Sequence, residues 1–327
     1  MERIKKNAIW VYCETQDGQF LPVGMQLIGV AKGLAAKCGA PLYAVVMGAM
    51  PEHGTETLLA CGADQVIHSD SPVLKNKLEK PYADCLIGLS RKLEPNILLV
   101  GATPFGRAFA PRVASGLETG LTADCTVLDI EEGTDLLLQT RPAFGGNMMA
   151  TIRTVGYRPQ MATVRPGVFP MPEPRAAEQK EAVTVETAVA ESPVQLLRQT
   201  VAAASAGIAE SKVIVSAGRG IGGKKNMKLV QALADKLGGS VGATRPLVDM
   251  GYCPYSSQIG QTGVSVAPDL LICCGISGAV QHLAGIGGAK TVIAINQDPE
   301  APIFSVADYK IVGDCIPVLE QLLAALE

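Results

Sequence analysis

The segment Leu270 to Gly275 constrains the fold more than any other stretch of this chain. It is apolar without alternation, long enough for one buried strand and too short to cross a membrane. A strand with no polar face reads as the inner strand of a parallel sheet covered on both sides. It runs straight into Gly275-Ile276-Ser277-Gly278, and the spacing predicts a helix from Ala279 onward. Free backbone N–H groups and the positive end of a helix dipole would gather at that junction, where an anion such as a phosphate sits well. The flanks of the strand between Tyr252 and Gly285 are rich in glycine, serine, threonine and glutamine. Such residues let the backbone approach a ligand closely and offer it neutral hydrogen bonds.

The rest of the chain alternates strand and helix signals around this element. In the first half, Ala8–Cys13, Pro41–Met47, Gln65–Ile67 and Asn96–Gly101 read as strands. Gly24–Lys37, Gly54–Ala60, Tyr82–Leu93 and the stretch after ATPFGR through Leu117 read as helices. That order implies α/β architecture, a mostly parallel sheet flanked by helices. From Thr122 the pattern changes to strand candidates at 125–130, 136–141, 148–153 and 161–165 with no helix between them, as expected of an antiparallel extension of the sheet. The proline-rich run 165–174 reads as an exposed, stiff connector. Val183–Val189 reads as one more strand, and 194–207 as an alanine-rich helix or hinge. At 327 residues the chain has room for two domains, and the expected division is 1–204 and 205–327.

Composition narrows the function. A net charge of −3 gives no nucleic-acid footprint, and 4% aromatics leaves little for base stacking. Nine cysteines without a spaced CxxC pair argue against a disulfide framework or a zinc site. MERIKKNAIWVYC lacks the pattern of a secretory signal, so the expected setting is the reducing cytoplasm, with no membrane partner. Cys273 and Cys274 read as inert core residues. No GxxxxGK[ST] loop is present, and Thr103–Arg107 is too short to replace one, so the first half reads as a scaffold.

The second half restarts the pattern at Lys212–Ser216, followed by Gly218-Arg219-Gly220-Ile221-Gly222-Gly223 and a helix from about Lys225 to Leu237. This formally matches GxGxxG in the right strand–helix context. An NAD site would need an acid at the end of the next strand. That region reads Val241-Gly242-Ala243-Thr244-Arg245, so NAD is disfavoured, while an NADP-dependent oxidoreductase using Arg245 and a nucleotide-binding module without redox chemistry stay open.

Five blocks in order, GRG at 218–220, TRPLVD at 244–249, QIGQTG at 258–263, GISGAVQHLAG at 275–285 and INQDPEAPIFSVADYKIVGD at 295–314, closely resemble the alpha subunits of electron-transfer flavoproteins. NAIWVYCE, RPAFGGNMMATI and RPQMATVRPGVF extend the resemblance into the first half, and Thr244 stands where many members have serine. The resemblance implies a Rossmann-like C-terminal domain holding one FAD. It implies FAD contacts from Arg219, Thr244, Arg245, Ile259, Gly260, Gln261, Thr262, Ser277, Gly278, Ala279, Val280, Gln281, His282, Asn296, Asp314 and Cys315. Thr262 would meet flavin N5, and Arg245 and His282 would stabilise negative charge on the reduced ring. It further implies an electron-transfer flavoprotein beta subunit as partner of the nucleotide-hydrolase-like first domain, and an electron carrier exchanging electrons with an acyl-CoA dehydrogenase or similar flavoenzyme. The first half looks most like members from anaerobic bacteria, which implies NADH-driven electron bifurcation as the wider setting.

Overall fold

The computed structural model describes residues 4–143, 148–176, 180–198 and 207–326, in two compact units. The expected boundary near 205 and most of the expected helix at 194–207 lie outside the described residues.

The first unit opens with β1 (Ile9–Tyr12), a small hairpin of β2 (Thr15–Gln16) and β3 (Gln19–Phe20), and α1 (Pro22–Cys38). It continues through β4 (Leu42–Met47), α2 (Gly54–Ala60), β5 (Gln65–Ser69), α3 (Glu79–Leu93), β6 (Ile97–Gly101) and α4 (Pro104–Gly116). Five strands follow: β7 (Leu121–Cys125), β8 (Val127–Ile130), β9 (Leu137–Ala143), β10 (Met148–Ile152) and β11 (Gln160–Val164). The two-residue β12 (Val183–Thr184) closes the unit. Its sheet has the order β12-β5-β4-β1-β6-β11-β7, all parallel, with one core on each face. The helices form because their apolar residues recur at helical spacing. In α1, Val23, Leu27, Ile28, Ala31, Leu34 and Ala35 face the sheet, and left-handed Gly39 ends the helix with its N–H on Ala35 O.

Three expectations need correction here. The strands after Thr122 do not extend the sheet antiparallel: β7 and β11 join it in parallel, while β8, β9 and β10 form a separate three-stranded antiparallel sheet. Val183–Val189 pairs with β5 as a strand over only two residues; beyond them Val185 N–H still donates to His68 O at 2.8 Å and Thr187 stays against Ser69 and Cys85 without strand pairing. The proline-rich run has no regular structure but does not stand free, since Pro172 packs on Gly29 of α1 and Arg175 N–H reaches Ala60 O at 3.0 Å.

The second unit contains β13 (Val213–Ala217), α5 (Met227–Lys236), β14 (Ser240–Ala243), α6 (Arg245–Asp249), β15 (Leu270–Cys274), α7 (Val280–Leu283), β16 (Val292–Asn296), β17 (Tyr309–Val312) and α8 (Cys315–Ala325). Its five strands are parallel in the order β14-β13-β15-β16-β17. The unbroken apolarity of β15 now has its reason. Leu271 and Cys273 enter the core on one face, Ile272 and Cys274 the core on the other, and both thiols are fully enclosed. Burial pushes the Cys273 thiol up to about 12 and also raises the Cys274 thiol well above its ordinary value, so neither is a nucleophile at neutral pH. Among the described residues no helix is long and apolar enough to cross a membrane.

Candidate functional site

In the second unit β13 pairs with β14 on one side and β15 on the other, so the chain reverses direction across the sheet at the β13–β15 pair. Ligands of open parallel sheets bind at such a reversal, beyond the carboxyl ends of the strands. The loops leaving these two strands interlock. Gly218 N–H donates to Cys274 O at 2.9 Å and Gly220 N–H to Gly275 O at 3.0 Å. A Cβ on Gly220 would lie 2.7 Å from Gly275 Cα, and Gly275 itself has φ 62°. Gly218, Gly220 and Gly275 are therefore required by loop-on-loop packing, while Gly223, the last glycine of the GxGxxG match, stands in open space.

Above the interlocked loops lies a cleft of about 400 Å³. It is lined by Arg219 after β13, by Thr244 and Arg245 after β14, by Ile259, Gly260, Gln261 and Thr262 of the following loop, and by Ser277, Gly278, Ala279, Gln281 and His282 after β15. Among the expected site residues, Val280, Asn296, Asp314 and Cys315 do not line it. Asn296 Nδ2 donates to Ile276 O at 2.8 Å, Cys315 Sγ to Gly220 O at 3.5 Å, and Asp314 caps α8 by accepting from Ile316 N at 3.0 Å. Asn296 and Cys315 thus brace the two loops from behind. Gly218, Pro246, Gln258, Gly275 and Ile276 line the cleft outside the expected set. Gln258 was readable as the first residue of QIGQTG; nothing in Pro246 marks it beyond its neighbour Arg245.

The expected helix from Ala279 is a single turn, α7, four residues long. Its last turn tightens, with Gly285 N–H on His282 O at 2.9 Å, and Gly285 then packs on the backbone of Gly260, 2.5 Å from where a Cβ would stand. The dipole of one turn is small, so the anion-binding capacity rests on the backbone N–H groups of Ser277, Gly278 and Ala279, which make no hydrogen bond among the described residues. Gly278 is held at φ 86°, and a Cβ there would meet Ile303 N at 2.2 Å, so only glycine completes this turn.

His282 is buried, and its Nδ1 lies 3.1 Å from Ile259 O. A carbonyl only accepts, so Nδ1 carries the hydrogen and Nε2 presents a lone pair. Nε2 is buried without a partner among the described residues. Burial holds the imidazole below its ordinary 6.5, against a smaller upward pull from the Ile259 carbonyl, so it is neutral at neutral pH. An orphaned buried nitrogen beside a backbone-lined cleft is the chemistry of a site built for a ligand with its own polar edge. Arg245 is exposed, and its Nε stands 3.4 Å from Asp249 Oδ2. A surface pair of this kind contributes only about 0–1 kcal/mol, which leaves the guanidinium able to turn toward a ligand.

Two family models match the chain. Residues 9–190 match the electron transfer flavoprotein domain, and residues 207–287 match the electron transfer flavoprotein FAD-binding domain. The electron transfer flavoprotein subunit alpha of Thermoanaerobacterium thermosaccharolyticum is 44% identical over 98% of this chain and 97% of its own length. Its counterpart in Clostridium acetobutylicum is 42% identical over 100% of this chain and 99% of that one. The subunit LctC of the NAD(+)- and ferredoxin-linked lactate dehydrogenase of Acetobacterium woodii is 43% identical over 98% of this chain and 77% of that one. Alpha subunits of this kind pair with a beta subunit, and their cofactor is FAD. The chain belongs to the electron transfer flavoprotein alpha-subunit family.

Proposed function

We propose that this chain is the FAD-carrying half of a heterodimer that exchanges electrons with an acyl-CoA dehydrogenase-type flavoenzyme, within NADH-driven electron bifurcation. Residues 205–327 bind the FAD, and residues 1–204 pack against the beta subunit. The single observation carrying this reading is the orphaned His282 Nε2 in a cleft walled by backbone, with unused N–H groups at Ser277, Gly278 and Ala279. When bound, FAD supplies one- and two-electron redox chemistry. The protein's residues bind and orient it. The N–H groups of 277–279 receive phosphate oxygens; Arg219, Thr244, Gln261 and Gln281 line its path; Asn296 holds the Ile276 carbonyl from behind and so supports the loop that carries those N–H groups. With Nδ1–H committed to Ile259 O, Nε2 is the atom at which His282 takes a proton, and so becomes a donor to negative charge on the flavin edge. The wider setting is supported by the relative whose name couples NAD and ferredoxin.

The test is purification with the beta subunit, then flavin quantitation and spectroscopy. Visible flavin absorption that bleaches on reduction is the expected result, and a colourless protein that binds NADP would replace it with the oxidoreductase alternative. Coupled oxidation of NADH and reduction of ferredoxin supports bifurcation. One FAD per heterodimer under saturating FAD, with no such coupling, refutes it and leaves a simple carrier.

A further inference from the structure

The loop from Gln258 to Val264 closes on itself. Val264 N–H donates to Gln258 O at 2.7 Å, Gly263 N–H to Gly260 O at 3.0 Å, and Gly260 N–H to Val264 O at 3.2 Å. Gln261 N–H ties the loop to Gln281 O at 2.7 Å, and a Cβ on Gly263 would stand 2.2 Å from Gln258 O. Its backbone is therefore fixed by its own hydrogen bonds and by glycine packing. What remains adjustable at the cleft is the direction in which the Thr262 hydroxyl points its proton. Gln258, only 3% exposed, decides it, because its Nε2 donates to Thr262 Oγ1 at 3.1 Å. A hydroxyl that accepts from an amide on one side keeps its own hydrogen to donate on the other.

We propose that Gln258 is a positioning residue that holds Thr262 as a hydrogen-bond donor toward the cleft and so biases a bound flavin toward its oxidised form. This rests on the reading above that FAD occupies the cleft with N5 at Thr262. N5 of the oxidised isoalloxazine accepts a hydrogen bond; after two-electron reduction it carries a hydrogen and donates. A hydroxyl locked as donor pairs with the first state and confronts the second. Without the Gln258 amide, the hydroxyl rotates to accept from N5–H, the reduced state gains a partner, and the midpoint potential rises.

A double-mutant cycle on the FAD-loaded heterodimer tests this, with the two-electron midpoint potential read by spectroelectrochemistry and FAD affinity by fluorescence. Gln258→Met, close in size and without a donor, is expected to retain FAD and shift the potential upward. In a Thr262→Val background the same substitution is expected to produce no shift, because the effect travels through the hydroxyl. A shift of equal size in both backgrounds, or none in either, overturns the proposal. If Thr262→Val alone leaves both the potential and the flavin spectrum unchanged, Thr262 does not face N5 and the underlying placement fails instead. Should Gln258→Met lose FAD, Gln258→Asn runs the same cycle, since it stays neutral and polar but its shorter amide is withdrawn from Thr262. A Gln258→Asn shift that also survives in the Thr262→Val background sinks the assignment.

Discussion

Both units of this chain are parallel α/β sheets with a reversal of strand order, yet only one reversal is built as a ligand site. In the first unit the reversal falls at β1 and β6. There the crevice is filled by the protein's own side chains. Glu14, 4% exposed, accepts from the Thr103 hydroxyl and from Lys77 Nζ at 2.7 Å, and Lys77 also lies 5.0 Å over the Phe105 ring. Behind them Tyr82, Phe105, Phe109 and Tyr12 pack ring to ring. A hollow of about 630 Å³ does lie to one side, lined by Asp17, Asp70, Lys75 and Lys77, so size alone does not distinguish the units. The second unit differs in chemistry at its reversal: glycine loops replace bulky residues, neutral amides and hydroxyls replace paired charges, and His282 Nε2 at the cleft has no partner among the described residues. Sheet topology supplies two equivalent places, and the side chains at the strand ends decide which one takes a ligand.

The largest expected effect breaks the second site at its base. Gly275→Ala places a Cβ 2.6 Å from the Gly220 carbonyl carbon at a left-handed φ of 62°, where the obstacle is backbone and cannot swing aside. Strain and overpacking together cost roughly 2–5 kcal/mol. The variant should lose its flavin on gel filtration and unfold at lower denaturant. Flavin retained at wild-type stoichiometry would show that the interlocked loops do not shape the site.

The reciprocal change in the first unit should cost less and spare the flavin. Glu14→Gln keeps the shape but removes the charge that Lys77 pairs with, and the ammonium is only partly exposed, at 28%. The expected loss is roughly 1–2 kcal/mol of unfolding free energy with unchanged flavin content. If flavin is lost while the fold stays intact, the plugged crevice is more than a scaffold and the contrast between the units collapses.

How much of this was legible in the sequence follows from what periodicity and motif can carry. Leu270–Cys274 was readable because an unbroken apolar run has one comfortable place, between two cores. The loop residues around 219, 244–245, 259–262 and 277–282 were readable from the blocks that resemble the family, and they do meet in one cleft. The reason for Gly218 and Gly220 was not readable, since glycines forced by loop packing look the same in sequence as glycines around a phosphate. Nor did spacing separate β7 and β11 from β8–β10, because strand periodicity names a face and not a neighbour. The spacing did not mark the eleven-residue α8, with Pro317 in its first turn, and α7 is a single turn where the spacing implies a longer helix. The tautomer of His282 depends on a carbonyl 23 positions away in the chain, which no local pattern contains.

The smallest expected effect concerns that histidine. The first unit pairs its buried charge, whereas the second buries an imidazole whose Nε2 has no partner, so the ligand-free protein resists protonating it. Burial places the folded-state value below the ordinary 6.5, with the Ile259 carbonyl opposing it only in part. Between 6.5 and that lower value the unfolded chain binds a proton that the folded chain refuses, so unfolding is favoured as pH falls through this window and stability recovers as pH rises above it. His282→Gln, which keeps a polar side chain of similar reach but does not titrate, should flatten this part of the profile. Urea unfolding of the flavin-free protein at a series of pH values from 7.5 down to about 5 measures the difference between the two chains, which cancels the carboxylates common to both. Parallel profiles would mean that Nε2 is already satisfied in solution, and the contrast between a filled crevice and a cleft with an unused nitrogen at its wall would lose its support. A steeper fall for the wild type would leave His282 as a neutral group held ready for a proton until a ligand makes that proton worth holding.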